Sequence, residues 1–160
     1  MKTNKKIIPR NQLKKLVRKL KKQHKKIVTC NGCLDILHPG HIKFLREAKK
    51  QGDVLIVGLN SDKSVKMSKG PKRPINSQKD RAEVLSALEM VDYVTVFNER
   101  DPRKLLSIIK PDVHCNGEEY GKGCIEGDTI KRYRGEIYLI KLVRGISTSN
   151  LIERLLNKNL

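Results

Sequence analysis

The residues Val54-Leu55-Ile56-Val57-Gly58-Leu59 run apolar without a break. A strand with one wet face alternates apolar and polar positions. An unbroken run predicts a strand covered on both faces, as in parallel sheets. Further β-rich runs lie at residues 27–31, 93–97, 113–116 and 136–140, separated by segments with helical spacing. Asn11 is placed to cap a helix whose Leu13, Leu16, Val17 and Leu20 form one apolar stripe. That stripe must pack on the domain or on a second subunit. Ser77 is placed to cap another helix, with Ala82, Val84, Leu85, Leu88 and Met90 facing in. Asp101-Pro102 opens a helix that reaches Ile109 and ends at Lys110-Pro111; residues 118–134 are poorly patterned. A last helix starts near Ser147 and carries Leu151, Ile152 and Leu155. This alternation predicts an α/β fold: an open parallel five-stranded sheet with helices on both faces, joined by right-handed crossovers. The length of 160 residues suits one domain, here 27–160, preceded by a basic segment, 1–26, that carries the first amphipathic helix.

Sheets of this kind bind ligands beyond the carboxyl ends of their strands. The first strand leads into Cys30-Asn31-Gly32-Cys33-Leu34-Asp35-Ile36-Leu37-His38-Pro39-Gly40-His41, followed by Ile42, Phe44, Leu45 and Ala48 at helical spacing to about Lys50. Pro39 suits the first turn of a helix, where its missing N–H has no partner to lose. His38 and His41 therefore sit at a helix N-terminus on one face. The unpaired N–H groups and positive dipole end there attract anions. A His-x-x-His pair is more often a surface pair or half a metal site, so other features must decide. One is a second turn of the same type, Arg144-Gly145-Ile146-Ser147-Thr148-Ser149, opening the last helix; another is the basic loop 66–73. Two anion-binding turns and a basic loop favour a nucleotide site.

Charge is unevenly spread. Lys and Arg total 35 against 17 acids, a net +18; residues 1–26 hold 12 of the bases and none of the acids. The rest carries 23 bases against 17 acids, a mildly basic body that suits phosphate-rich substrates. The basic segment lacks aromatic residues for base stacking, so solvated charge is the simpler reading and nucleic acid the secondary one. No apolar run reaches the length of a membrane span, and no cleavable leader follows the basic start, so no membrane partner and a cytoplasmic location are expected. Four cysteines in a reducing compartment are expected as thiols. Cys30-x-x-Cys33 has metal or redox spacing, with Cys115 and Cys124 as possible completing ligands, but the second close pair that a zinc site needs is missing. No direct metal ligand is assigned.

The stretch Gly32-Cys33-Leu34-Asp35-Ile36-Leu37-His38-Pro39-Gly40-His41 resembles the signature of the HxGH nucleotidyltransferases, the cytidylyltransferase-like superfamily of Rossmann-like enzymes. The resemblance runs from about Leu13 to the end. Asn60-Ser61-Asp62, Lys69-Gly70-Pro71-Lys72-Arg73-Pro74-Ile75, Arg81-Ala82-Glu83-Val84-Leu85 and residues 87–94 are most similar to the adenylyltransferases that make ADP-heptose from heptose 1-phosphate. The resemblance implies ATP and a phosphorylated sugar as substrates, Mg2+ with the triphosphate, and a homodimer. No kinase segment precedes this chain, so a separate sugar kinase is expected upstream.

The resemblance also assigns roles. His38, His41 and Lys69 would be catalytic, the histidines on α/β-phosphate oxygens. Gly32, Cys33, Leu34, Gly40, Asn116, Gly117, Arg144, Ser147 and Thr148 would line the nucleotide, with Arg144, Ser147 and Thr148 on the leaving phosphates. Asp35, Asn60, Asp62, Lys72, Arg73 and Arg81 would serve the acceptor. Competing readings stand beside several of these. Asp35 could hold its turn or reach magnesium through water, and Asn60 and Asp62 could simply cap a turn. Arg81 could face the site or pair with Glu83 or Asp80; Ser147 and Thr148 could also cap a helix. Leu34 stands where Phe is usual, and Asn116 and Glu119 stand where Lys and Asp are usual near the base, so base or acceptor choice could differ. The alternatives are a cytidylyltransferase on glycerol 3-phosphate or a similar alcohol phosphate, a flavin-adenylylating relative, and, from another class, a basic nucleic-acid-binding module.

Overall fold

The computed structural model describes residues 5–121, 123–141 and 147–157. Five strands, β1 (Ile27–Gly32), β2 (Val54–Asn60), β3 (Tyr93–Phe97), β4 (Val113–Gly117) and β5 (Glu136–Ile140), form one sheet in the order β3-β2-β1-β4-β5. Every neighbouring pair is parallel. The chain works outward from β1 to β3, then crosses to β4 on the other side. The order therefore reverses between β1 and β4, and a crevice opens beyond their carboxyl ends.

The helices are α1 (Arg10–Lys22), α2 (Pro39–Lys49), α3 (Asp62–Lys69), α4 (Gln78–Ser86), α5 (Arg103–Ile109), α6 (Gly127–Arg132) and α7 (Thr148–Asn157), with a 3₁₀ turn at Glu118–Tyr120. Successive side chains of a strand point to opposite faces, so each strand feeds two cores. On one face Val28, Leu55, Val57, Leu59 and Val94 pack with Leu45 of α2 and Leu85 of α4. On the other, Ile27, Ile56 and Phe97 pack with Leu13, Val17 and Leu20 of α1 and Leu105 and Ile109 of α5. The apolar stripe of α1 thus packs on the domain itself. Just before α1, Ile7 bridges to Val94, and Ile8 N–H donates to the Val94 carbonyl at 2.8 Å.

Local chemistry explains the helix starts. The Ser61 hydroxyl accepts from Ser64 N–H at 3.1 Å and the Ser77 hydroxyl from Asp80 N–H at 3.2 Å, each capping a first turn. Four expectations need correction. Pro9, not Asn11, precedes α1, because its fixed φ suits the turn into a helix and Asn11 falls inside the first turn. α4 ends at Ser86, leaving Val84 52% exposed and Leu88 and Met90 beyond the helix. Residues 118–134 contain α6, which buries Ile130. Lys69 ends α3 rather than standing on a loop, because α3 extends two turns past its Ser61 cap.

One buried group couples the fold to pH. His114 is fully buried in β4, its Nδ1 2.8 Å from the Thr29 hydroxyl, while its Nε2 has no partner among the described residues. Burial pushes it down to about 4 from an ordinary 6.5. Above pH 6.5 both folded and unfolded chains are neutral here. Between 6.5 and 4 the unfolded chain binds the proton and the folded one does not, so stability falls as pH falls. A depression of that size corresponds to about 3 kcal/mol. Melting curves from about pH 7 down to about pH 5 are expected to show a smaller loss in His114→Asn than in the parent protein. Equal losses would remove His114 as the cause.

Candidate active site

The central strand β1 ends at Gly32 and the chain turns through Leu34, held at φ 45°, into the start of α2. His38 is the extended residue just before α2, and Pro39 is its first helical residue. The His38 carbonyl accepts from His41 N–H at 2.9 Å, closing the first turn and placing the two rings face to face. Their centroids are 3.8 Å apart with planes 24° from parallel, and neither Nδ1 has a hydrogen-bond partner among the described residues. Burial lowers the pKa of His38, and burial together with the neighbouring His38 lowers His41 to about 4. Both imidazoles are therefore neutral at pH 7, each carrying one N–H that can donate without the cost of desolvating a cation. They flank the α2 N-terminus at Gly40, with Pro39 lacking an N–H and the His41 N–H already given to the His38 carbonyl.

A buried network holds this turn in place. The Asp35 carboxylate, 4% exposed, accepts from Arg73 Nε at 2.8 Å and from the N–H groups of Ile75 and Asn76 at 2.9 Å. Burial alone would raise its pKa; those two N–H groups and the Arg73 guanidinium outweigh it and hold the carboxyl below its usual value. Asp35 thus clamps the 33–38 turn to the loop after α3, and its oxygens are already occupied. Arg81, 2% exposed, donates to the carbonyls of Cys33 (2.6 Å), Asn60 (2.9 Å) and Asn76 (3.0 Å) and to the Asp62 carboxylate (2.7 Å). It pairs with Asp62, not with Glu83 or Asp80. Asn60 donates to the Ser64 hydroxyl at 2.8 Å, inside the α3 start.

Cations gather on this β2 side. Burial raises the Cys33 thiol, and the charges of Lys69, Arg81 and Arg73 act against it, so all three lie within electrostatic reach of the β1–α2 turn. Lys72 is exposed nearby. On the β5 side, the Thr148 hydroxyl donates to the Ile36 carbonyl at 3.2 Å, which sets the start of α7 against the α2 turn. The Ser147 hydroxyl accepts from Asn150 N–H at 3.1 Å, capping α7. Arg144 lies outside the described residues. On the β4 side, Asn116 donates to the Glu126 carboxylate at 3.2 Å, both residues 6% exposed. Gly117 is buried beside them, with the Glu119 carboxylate folded over it, so that a Cβ there would have to displace that exposed side chain. Glu126 was absent from the sequence-based candidates; the departure at Asn116 was the only signal pointing to it.

The described candidates lie at the ends of β1, β2 and β4, at the α2 and α3 starts, in the loop after α3 and at the α7 start, with Gly40 between the two histidines in α2. A cavity of about 960 Å³, lined by Leu37, His38, Ile42, Arg46 and Met90, runs along α2. No group of three His, Cys, Asp or Glu among the described residues is arranged to hold a metal ion. The four cysteines are free thiols; Cys30 and Cys115 are buried, and burial raises both, Cys115 to about 12.

An open parallel sheet whose switch point is lined by helix N-termini and neutral donors defines an α/β protein built to hold phosphates. Sequence comparison narrows this. The Cytidylyltransferase-like family pattern matches residues 29–154, and the chain belongs to that family, as a nucleotidyltransferase. It is 53% identical over 135 residues to the bifunctional protein HldE of Campylobacter concisus, covering 84% of this chain and 28% of that protein. It is 50% identical over 144 residues to the bifunctional protein HldE of Aliarcobacter butzleri, covering 90% and 30%. The chain therefore spans under a third of the curated relatives it matches. Among solved structures, the lipopolysaccharide core biosynthesis protein from Thermoplasma volcanium superposes with TM-score 0.60 at 31% identity, over 74% of this chain and 97% of that one. Pantoate-beta-alanine ligase from Francisella tularensis, complexed with beta-gamma ATP and beta-alanine, shares the fold at TM-score 0.67 and 20% identity, over 91% of this chain and 72% of that one.

Proposed function

We propose that this nucleotidyltransferase moves AMP from ATP to a sugar 1-phosphate, heptose 1-phosphate, releasing pyrophosphate and an ADP-sugar. The observation that carries the reading is the stacked pair of neutral histidines at the α2 N-terminus, facing the start of α7. The identity to the HldE proteins and the features across residues 57–94 support the sugar.

An oxygen of the acceptor phosphate attacks the α-phosphorus in line, and the bond to the oxygen bridging the α- and β-phosphorus breaks. The acceptor is already an anion, so no general base is required. Catalysis then consists of positioning and charge neutralisation. His38 and His41 donate to the α/β-phosphate oxygens as charge builds there. Arg144, Ser147 and Thr148 hold the departing phosphates, and Lys69 and Lys72 draw the acceptor phosphate in. Arg73, Arg81, Asp35, Asn60 and Asp62 spend their polar groups on one another and on backbone, so their role is to hold the loops that shape the acceptor side. Mg2+ would arrive with the triphosphate and neutralise its charge; the Asp35 oxygens are already occupied. A homodimer and a kinase step that phosphorylates the sugar complete the reading. No helix among the described residues is long and apolar enough to cross a membrane.

The test is pyrophosphate release with Mg2+, crossing ATP and CTP against heptose 1-phosphate and glycerol 3-phosphate. Turnover with ATP and heptose 1-phosphate alone is expected. Turnover with CTP and glycerol 3-phosphate would keep the chemistry and replace the substrates.

A further inference from the structure

We propose that Glu126, oriented by Asn116, reads the exocyclic amino group of the donor nucleotide's base and so admits adenine or cytosine over their oxo-bearing counterparts. This rests on the nucleotide-transfer reading above.

Glu126 is 6% exposed and has no ion pair among the described residues, in a chain of net charge +18. Among the described residues its side chain has one hydrogen-bond partner, the Asn116 amide at 3.2 Å. A carboxylate offers about four acceptor positions, and burying one that is largely unused is costly unless a donor arrives. Arg103, whose guanidinium feels Glu126 across space, is already spent on Asp101. A lysine at 116, which the family resemblance leads one to expect, would neutralise Glu126. Asn116 instead aims the carboxylate and leaves its charge in place.

Position decides what it meets. Asn116 is the penultimate residue of β4, next to the switch point, and Glu126 immediately precedes α6. The Tyr120 phenol is raised by burial and by Glu119, Glu126 and Cys33, so Tyr120 lies within electrostatic reach both of Glu126 and of Cys33 in the β1–α2 turn. Phosphates held between the α2 and α7 starts would place the rest of a nucleotide over β1, β4 and β5. Lys69, Arg73 and Arg81 lie on the opposite, β2 side. The crevice is thus cationic where the acceptor phosphate enters and carboxylate-bearing where a base would end. A carboxylate can only accept. It therefore suits the amino group of adenine or cytosine and repels the oxo group of hypoxanthine or uracil.

The experiment is calorimetric titration of the full chain, with Mg2+, by ATP, purine riboside triphosphate (hydrogen in place of the amino group) and inosine triphosphate. ATP is expected to bind about 10–100-fold more tightly than purine riboside triphosphate, with inosine triphosphate weaker still. Glu126→Gln, whose amide can also donate to an oxo group, is expected to bring ATP and inosine triphosphate to within about threefold of each other. Equal affinities for the three ligands in the parent protein would overturn the inference and leave the transfer reading intact. Binding of none of them would overturn both. The three-ligand comparison in the parent protein does not depend on how well the variant folds.

Discussion

His41→Ala is expected to lower kcat by about 100–1000-fold, the usual cost of removing one donor aimed at charge developing in a transition state. The ring is neutral because burial and His38 hold it to about 4, and its Nδ1 has no partner among the described residues to lose. The melting temperature should therefore change little, and KM for the nucleotide should change less than kcat, since the donor acts on charge that grows as the α,β bridge breaks. His38→Ala should behave alike. The double variant should lose far less than the product of the two single losses, because stacked rings acting on the same phosphates work as a unit. Single-turnover pyrophosphate release measures this. A His41→Ala enzyme with parental kcat would end the assignment.

Arg81→Met is expected to have the largest effect on stability, about 3–5 kcal/mol. Its four acceptors come from the β1–α2 turn, the end of β2, the loop after α3 and the start of α3, so one buried guanidinium closes four segments against each other. Without it, three carbonyls and a carboxylate lose their donor together. For a chain of this size the melting midpoint should fall by about 10 °C. Arg81→Lys keeps the charge but loses the planar fork and should recover only part of the loss. Both variants should also lose kcat, because the Cys33 carbonyl belongs to the turn that aims the histidines. A midpoint within about 2 °C of the parent would show that the fork is not what holds the turn.

The contrast between these two residues bears on what the sequence could reveal. β2 was legible because a strand buried on both faces leaves an unbroken apolar run, and β3 and β5 because β-branched and aromatic residues cluster where they lie. Ser61 and Ser77 were legible because a cap acts within three residues of itself. His38 and His41 were legible because the strand, Pro39 and the spacing are all local. Arg81 was visible as a candidate but not in its role: its carboxylate partner is 19 residues away, brought near only by the return of α4 to the end of β2. Glu126 was invisible for the same reason, ten residues from Asn116 across an irregular stretch. α6 escaped because glycine and polar residues dilute its short pattern. Val84 escapes the buried face because α4 turns Arg81, Ala82, Leu85 and Ser86 inward, a stripe that spends two of its positions on polar residues.

β3 is an edge of the sheet, and its sequence Tyr93-Val94-Thr95-Val96-Phe97 is β-branched and aromatic without a charge. Such an edge is a template for another strand, in a second molecule as readily as in the first. The N-terminal chain lies across it: Val94 N–H donates to the Lys6 carbonyl at 2.9 Å and Ile8 N–H to the Val94 carbonyl. The lysine-rich start of the protein therefore acts as an edge guard, blocking stray strand pairing and surrounding the edge with positive charge. Trimming residues 1–26 to remove that charge would also bare a sticky strand, so charge reversal at Lys15, Lys19 and Lys22, which leaves residues 6–8 on Val94, is the cleaner way to ask what the basic surface touches.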